Sequence, residues 1–245
     1  MKKEISVSVK DLYISYKGLK KFSIKKSLLK LKTSKLEIFE AINGITFDLE
    51  EGKILGIIGK NGSGKSTLLK AIAGIFSPDK GVIDLHGNSV SLLSIGVGFS
   101  PKLTGYENIF LSGMLLGFTQ KEIEEHLNEI IEFSELGNFI YKPVKTYSSG
   151  MYSKLAFSIT AILKTNIMLI DEVLSVGDAK FKEKSYNRMK QLINEPDRTV
   201  LIVSHSLESL IELCDEVIWL HDGKLKKKGK PREVIDEYKK FMEIK

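Results

Sequence analysis

The sequence predicts an α/β fold in which a mostly parallel sheet alternates with helices and is interrupted by a helical insertion. Three observations carry this. A Gly-rich segment, GIIGKNGSGKST at 56–67, joins an apolar strand to an amphipathic run. Strand and helix patterns alternate from about residue 166 onward. Between these parts, about 104–164 reads as successive helices.

In chain order, period-two alternation predicts strands at about 5–10, where Ile5, Val7 and Val9 share a face, and at 44–49. The run Ile54, Leu55, Ile57, Ile58 predicts a buried strand, and Leu68, Leu69, Ile72 and Ala73 form the inner side of the helix after it. Short strands follow near 82–85 and 89–93. ENIFLSGMLLGF and KEIEEHLNEIIEF predict helices broken at Gly117 and Gly137. The second alternating part comprises strands at 166–171, 199–204 and 216–220, helices near 179–193 and 207–213, and a C-terminal helix from about Pro231.

At 245 residues the chain reads as one large domain, or a domain with an embedded subdomain, with ample material for a core. A single cysteine, Cys214, excludes an intrachain disulfide and fits a reducing cytosol. No apolar run is long enough to span a bilayer, and the start of the chain alternates like a strand rather than a signal peptide. Any membrane role is expected to pass through a separate chain.

The net charge of +6 is not spread over a nucleic-acid-binding face. Residues 17–35 hold eight lysines and no acid, leaving the remainder net acidic. Ile24, Leu28 and Leu31 form a weak helical stripe there. The segment reads either as a solvated insertion or as one lying near anionic lipid headgroups or a membrane partner. A second cluster, Lys224, Lys226, Lys227, Lys228, Lys230 and Arg232, follows the turn at Asp222 and Gly223 and reads as a solvated hairpin edge.

The chemistry begins at Gly59, Lys60, Asn61, Gly62, Ser63, Gly64, Lys65, Ser66 and Thr67. Gly59, Gly64, Lys65 and Ser66 have the spacing of a phosphate-cradling loop between strand and helix. Glycines let backbone N–H groups turn toward phosphates, and the helix N-terminus favours negative charge. Lys65 would bridge the terminal phosphates, Ser66 would ligate magnesium, and Thr67 would add a donor. Asp171, ending a core strand, would hold magnesium, directly or through water, and Glu172 would act as general base toward water; without the phosphate loop the two would read as a capping carboxylate pair opening a loop. His205, after the strand at 200–203, could donate to the γ-phosphate or position the water, though a strand-end histidine alone says little. YSSGM at 147–151 places Ser148, Ser149 and Gly150 at a helix start, either an anion site or a plain serine cap.

The phosphate loop, YSSGM, IMLIDE, VLSVGD and VSH occur in the order and spacing of ABC-transporter ATPase subunits, which the chain resembles over nearly its whole length. The resemblance implies a P-loop NTPase core with an antiparallel β subdomain and an inserted helical subdomain. The core would take about 1–93 and 166–245, the helical subdomain about 95–165, and the basic insertion 17–35. It further implies a homodimer sandwiching two ATP molecules head to tail, in which Ser148, Ser149 and Gly150 complete the opposite subunit's site and Asp178 lies in the loop crossing the interface. Tyr16 matches the aromatic residue that stacks on adenine, with Tyr13 and Phe39 as weaker candidates.

More narrowly, PVKTYSSGM, DEVLSVGDAKF and LLSIGVGFSPKLTGYENIF are similar to the ATP-binding subunits of bacterial polysaccharide, O-antigen and teichoic-acid exporters. Such a subunit hydrolyses ATP on the cytoplasmic face of the membrane and drives a permease, which segment 95–117 is expected to contact. Two departures stand out. No Gln occupies the usual position near Ser94 to Gly96, and no carbohydrate-binding domain is recognisable, so cargo selection by this chain is not expected. The alternative is a soluble ABC-type ATPase acting on nucleic acid or ribosomes, although the paired cassettes or coiled-coil arms usual there are missing. A regulatory module that hydrolyses little fits less well with Glu172 and His205 both present.

Overall fold

The computed structural model describes residues 4–18, 37–93, 98–171, 178–193, 195, 198–204 and 206–243. The insertion at 17–35 and the position expected to lack a Gln near 94–96 fall almost wholly outside them.

Two sheets organise the chain. In the first, β1 (Ile5–Gly18) lies between β2 (Glu37–Glu50) and β4 (Lys80–Asp84), all antiparallel. Both long strands exceed the predicted spans. Val7 and Val9 face the core at odd positions, whereas Leu12 and Ile14 do so at even ones. A bulge at Asp11, whose φ is +45°, changes the parity. Such an inserted residue hides a continuing strand from a strict alternation test.

The second sheet runs β5 (Val90–Leu93), β6 (Ile167–Asp171), β7 (Thr199–Val203), β3 (Ile54–Ile58), β8 (Glu216–His221), β9 (Lys224–Gly229). Its first five strands are parallel, and β9 returns antiparallel along the edge. The central strands read as unbroken apolar runs because both faces are covered. Ile167, Leu169, Leu201, Val203, Ile218 and Leu220 enter the core shared with β1, β2 and α1 (Lys65–Ile72). Met168, Ile170, Val200, Ile202, Val217 and Trp219 alternate with them and face α5 (Ala179–Ile193), α6 (Leu207–Leu213) and α7 (Pro231–Phe241).

β9 is the hairpin edge expected, with Lys224 and Lys226 exposed, but three of its lysines also make specific contacts. Lys226 lies over the rings of Trp219 and Phe241, Lys227 pairs with Glu237, and Lys228 meets Glu216 and the Asp48 carbonyl. Their aliphatic stems and charges fasten the edge strand to α7 and to the first sheet.

The insertion comprises α2 (Gly105–Leu115), α3 (Gln120–Ser134), two short 3₁₀ turns and α4 (Ser149–Ile162), around Ile109, Ile123, Ile130, Leu155 and Ile159. Thr104 with Glu107 and Thr119 with Glu122 form capping boxes, so α2 and α3 begin with their N–H groups satisfied from within. Residues 155–162 of α4 are buried on every side, since Phe157 turns to the sheet while Leu155 and Ile159 turn to the insertion. Among the described residues, no helix is long and apolar enough to cross a membrane.

One buried polar residue holds the entry to the insertion. Asn108 is fully buried; its side-chain oxygen accepts from the Ser100 N–H at 2.7 Å, and its amide donates to the Thr104 carbonyl at 2.7 Å and the Ser100 carbonyl at 3.1 Å. Asn108→Ala leaves the Ser100 N–H without its acceptor, while the Ser100 and Thr104 carbonyls keep their backbone donors, and should cost about 1–2 kcal/mol, read as a lower urea midpoint of the purified chain.

Candidate functional site

Parallel strands deliver their C-terminal ends to one edge, so the chain leaving β3, β6 and β7 emerges together. After β3, residues Gly59 to Gly64 wrap around and open into α1. Gly64 has φ +101°, and a Cβ there would lie 2.5 Å from the Ala41 carbonyl oxygen. Gly59 has φ +152°, with only 2.3 Å between a built Cβ and the Leu220 oxygen. Any side chain at either position would push the loop off its bed.

Unlike α2 and α3, helix α1 begins with no side-chain cap and no acid in its first turn. That leaves a positive helix end facing the loop, the arrangement that suits phosphate. Lys65 is 8 % exposed, and its ammonium donates to the Gly59 carbonyl at 2.8 Å and the Lys60 carbonyl at 3.1 Å, which hold it across the loop. The Ser63 hydroxyl is buried without a hydrogen-bond partner, a cost that a phosphate oxygen or ordered water would remove. Ser66 donates to Asp171 Oδ1 at 3.1 Å, joining the loop to the end of β6. These two hard oxygens fit a magnesium ion. Among the described residues no group of three or more His, Cys, Asp or Glu could hold a metal, so such an ion would draw its other ligands from phosphate and water.

Phe39, Ala41, Asn61, Gly62, Gly64, Lys65, Ser66 and Thr67 line a cleft of about 340 Å³. Tyr16 sits opposite Phe39 in the β1–β2 register, so the two share a sheet face. The Tyr16 hydroxyl is 3.1 Å from the Thr67 hydroxyl, and its ring meets Phe76 edge-on at 5.9 Å. Phe39 is more open, 57 % exposed on the cleft wall. Tyr13 lies over Gly44 instead. Glu172 and His205 are outside the described residues, immediately after Asp171 and Ser204 in the chain.

A second cavity, about 430 Å³, shares no lining residue with the first. Ser148 caps α4 by accepting from the Met151 N–H at 3.2 Å, and no acid occupies the first turn, so Ser149 and Gly150 begin a helix end capped by a hydroxyl but carrying no carboxylate. Ser148 and Gly150 line this cavity together with Glu135, Phe139, Lys154 and Asp178. Asp178 accepts from Lys154 at 2.7 Å and from the Phe181 N–H at 3.0 Å, which hold its carboxyl down at about 2. Lys154 and Glu135 escaped the reading of the sequence, where isolated charges on a helix or at its end look like ordinary surface. Only the packing of α4 on α5 reveals them.

A family model described as ABC transporter matches residues 42–175. The chain is 45% identical over 206 residues to the teichoic acids export ATP-binding protein TagH of Bacillus anthracis, covering 84% of this chain and 37% of that one. It is 42% identical to the O-antigen export system ATP-binding protein RfbB of Klebsiella pneumoniae, covering 82% of each. The chain thus spans little more than a third of the first relative's length. In fold it is similar to a dimeric ATP-binding cassette bound to ADP and Pi in a post-hydrolysis state, with TM-score 0.68, 22% identity, and coverage of 92% of this chain and 99% of that one. The match over more than half its length, and relatives aligned across most of both chains, show that this chain belongs to the ABC transporter family.

Proposed function

We propose that this chain binds and hydrolyses ATP to power export of a lipid-linked polysaccharide, such as teichoic acid or O-antigen, through a separate membrane subunit. The observation that carries the nucleotide reading is the Ser66–Asp171 contact beneath an uncapped α1. The exporter reading draws its support from what the relatives are named for.

In this reading the loop amides from Lys60 to Thr67 and the Lys65 ammonium bind the phosphates, while Ser66 and Asp171 hold magnesium. When bound, the ion supplies charge neutralisation for the transferring phosphoryl group. Glu172 takes a proton from the attacking water, and His205 donates to the γ-phosphate or positions that water. Tyr16 and Phe39 flank the adenine.

The two cavities have no residue in common, and this supports a two-chain site: Ser148, Ser149 and Gly150 of one copy would meet the phosphates held by another, head to tail. ATP would draw the copies together because its γ-phosphate gains donors from both, and hydrolysis would remove that bridge. A groove of about 460 Å³ between the core and α2, lined by Ala73, Ile75, Leu92 and Leu115, offers the membrane subunit a docking place. Ile75 and Leu115, 45 and 57 % exposed in its lining, are the apolar contacts such docking would cover. The chain would thereby sit on the cytoplasmic face of the membrane, with 17–35 as a candidate contact to anionic lipid and no nucleic acid engaged.

Two measurements test this. Glu172→Gln should slow ATP turnover by roughly 10²–10⁴-fold while ATP binding persists; turnover at the normal rate would remove Glu172 from the role of base. In mixed dimers carrying one Lys65→Ala phosphate loop, Ser149→Arg should abolish turnover when placed in the subunit opposite the intact loop and have a much smaller effect in the other placement.

A further inference from the structure

We propose that Lys154 is a positioning residue for ATP hydrolysis, bolting the start of α4 to the start of α5 so that Ser148, Ser149 and Gly150 are held in the orientation in which they meet a nucleotide on a second copy of this chain. The assignment rests on the two-chain reading above.

Lys154 lies five residues into α4 from Ser149, and its side chain is only 14 % exposed. Its ammonium is 2.7 Å from Asp178, 3.6 Å from Glu135 and 5.0 Å from the centre of the Phe181 ring. Glu135 caps α3 in a left-handed conformation, φ +55°, and also pairs with Lys184 of α5 at 3.0 Å. Lys184 donates in turn to the Phe133 carbonyl at 3.1 Å. The order Asp178, Lys154, Glu135, Lys184 alternates in sign across the boundary between the insertion and the sheet's helices. Phe133, Phe157 and Phe181, with centroids 5.7 to 6.2 Å apart, pack beside it.

The aromatic contacts would hold α4 and α5 together without Lys154, since they are apolar and tolerate small rotations. The ammonium adds a tether of a different kind: largely buried itself, it draws the second turn of α4 toward Asp178 at the start of α5 and Glu135 at the end of α3. That tether bears on where the first turn of α4 points, and Asp178 and Ser148 share the cavity that this turn lines. The lowered Asp178 carboxyl keeps the pair charged at any pH well above 3.8, and the contribution fades only as pH falls toward about 2. A contact that survives every working pH is suited to fixing geometry rather than switching it.

The test uses the full-length chain as the same mixed dimer with one Lys65→Ala loop. Lys154→Met in the subunit opposite the intact loop should lower kcat about ten- to hundredfold, with KM for ATP changed less than about twofold. The other placement should cost at least about tenfold less, and Lys154→Arg, which keeps a positive charge between Asp178 and Glu135, should recover part of the lost rate. Equal losses in both placements, or no loss in either, overturn the assignment if Ser149→Arg still depends on placement. If Ser149→Arg is indifferent too, the two-chain reading falls and Lys154 with it. Should Lys154→Met fail to fold, Lys154→Gln keeps the comparison, with the same placement dependence expected and its absence counting against the role.

Discussion

Close approach of backbone to backbone beneath the phosphate loop governs the arrangement of this molecule. Gly64 rests against the Ala41 carbonyl of β2, and Gly59 against the Leu220 carbonyl of β8, at separations no Cβ could enter. The two sheets therefore meet at the loop, one from each side. The Asn43 N–H donates to the Gly223 carbonyl at 2.8 Å, and Lys228 donates to the Asp48 carbonyl at 2.7 Å, fastening the sheets together nearby. A loop wedged this way is organised before any ligand arrives, so binding need not spend free energy on ordering it.

The starts of α1 to α4 fall into two kinds. Those of α2 and α3 are closed by threonine and glutamate, which satisfy the first-turn amides internally and add stability. Those of α1 and α4 carry no first-turn acid, and each opens into its own cavity. An anionic ligand placed at either would find amide donors and the positive end of a dipole. Because the two ends belong to different cavities, one chain presents two separate helix starts, the second carried by the helical insertion.

Much of this was legible in the residues. The buried parallel strands announce themselves as apolar runs, since both their faces are covered, and the glycine spacing of the loop reflects a steric requirement that few other residues satisfy. Strand lengths were harder: the bulge at Asp11 shifts the inward face of β1 from Val9 to Leu12, so alternation breaks although pairing continues. The lysines of β9 look alike in the sequence, yet one covers aromatic rings while two form ion pairs, with Glu237 of α7 and Glu216 of β8, because the packing of α7 and the strand register bring those partners alongside. Tyr16 was recognisable as an aromatic near the site, but its bond to Thr67, and the more open place of Phe39 on the cleft wall, depend on strand register.

By itself the sequence determined the α/β class, the phosphate loop and the acid ending β6, because each is a local pattern enforced by sterics, periodicity or strand burial within a few residues. Tertiary structure decided which distant groups meet: Ser66 with Asp171, Tyr16 with Thr67, and Lys154 with Asp178. Those pairings span 105, 51 and 24 residues. No local propensity encodes them, since a hydrogen bond forms only when packing of whole strands and helices brings donor and acceptor within about 3 Å.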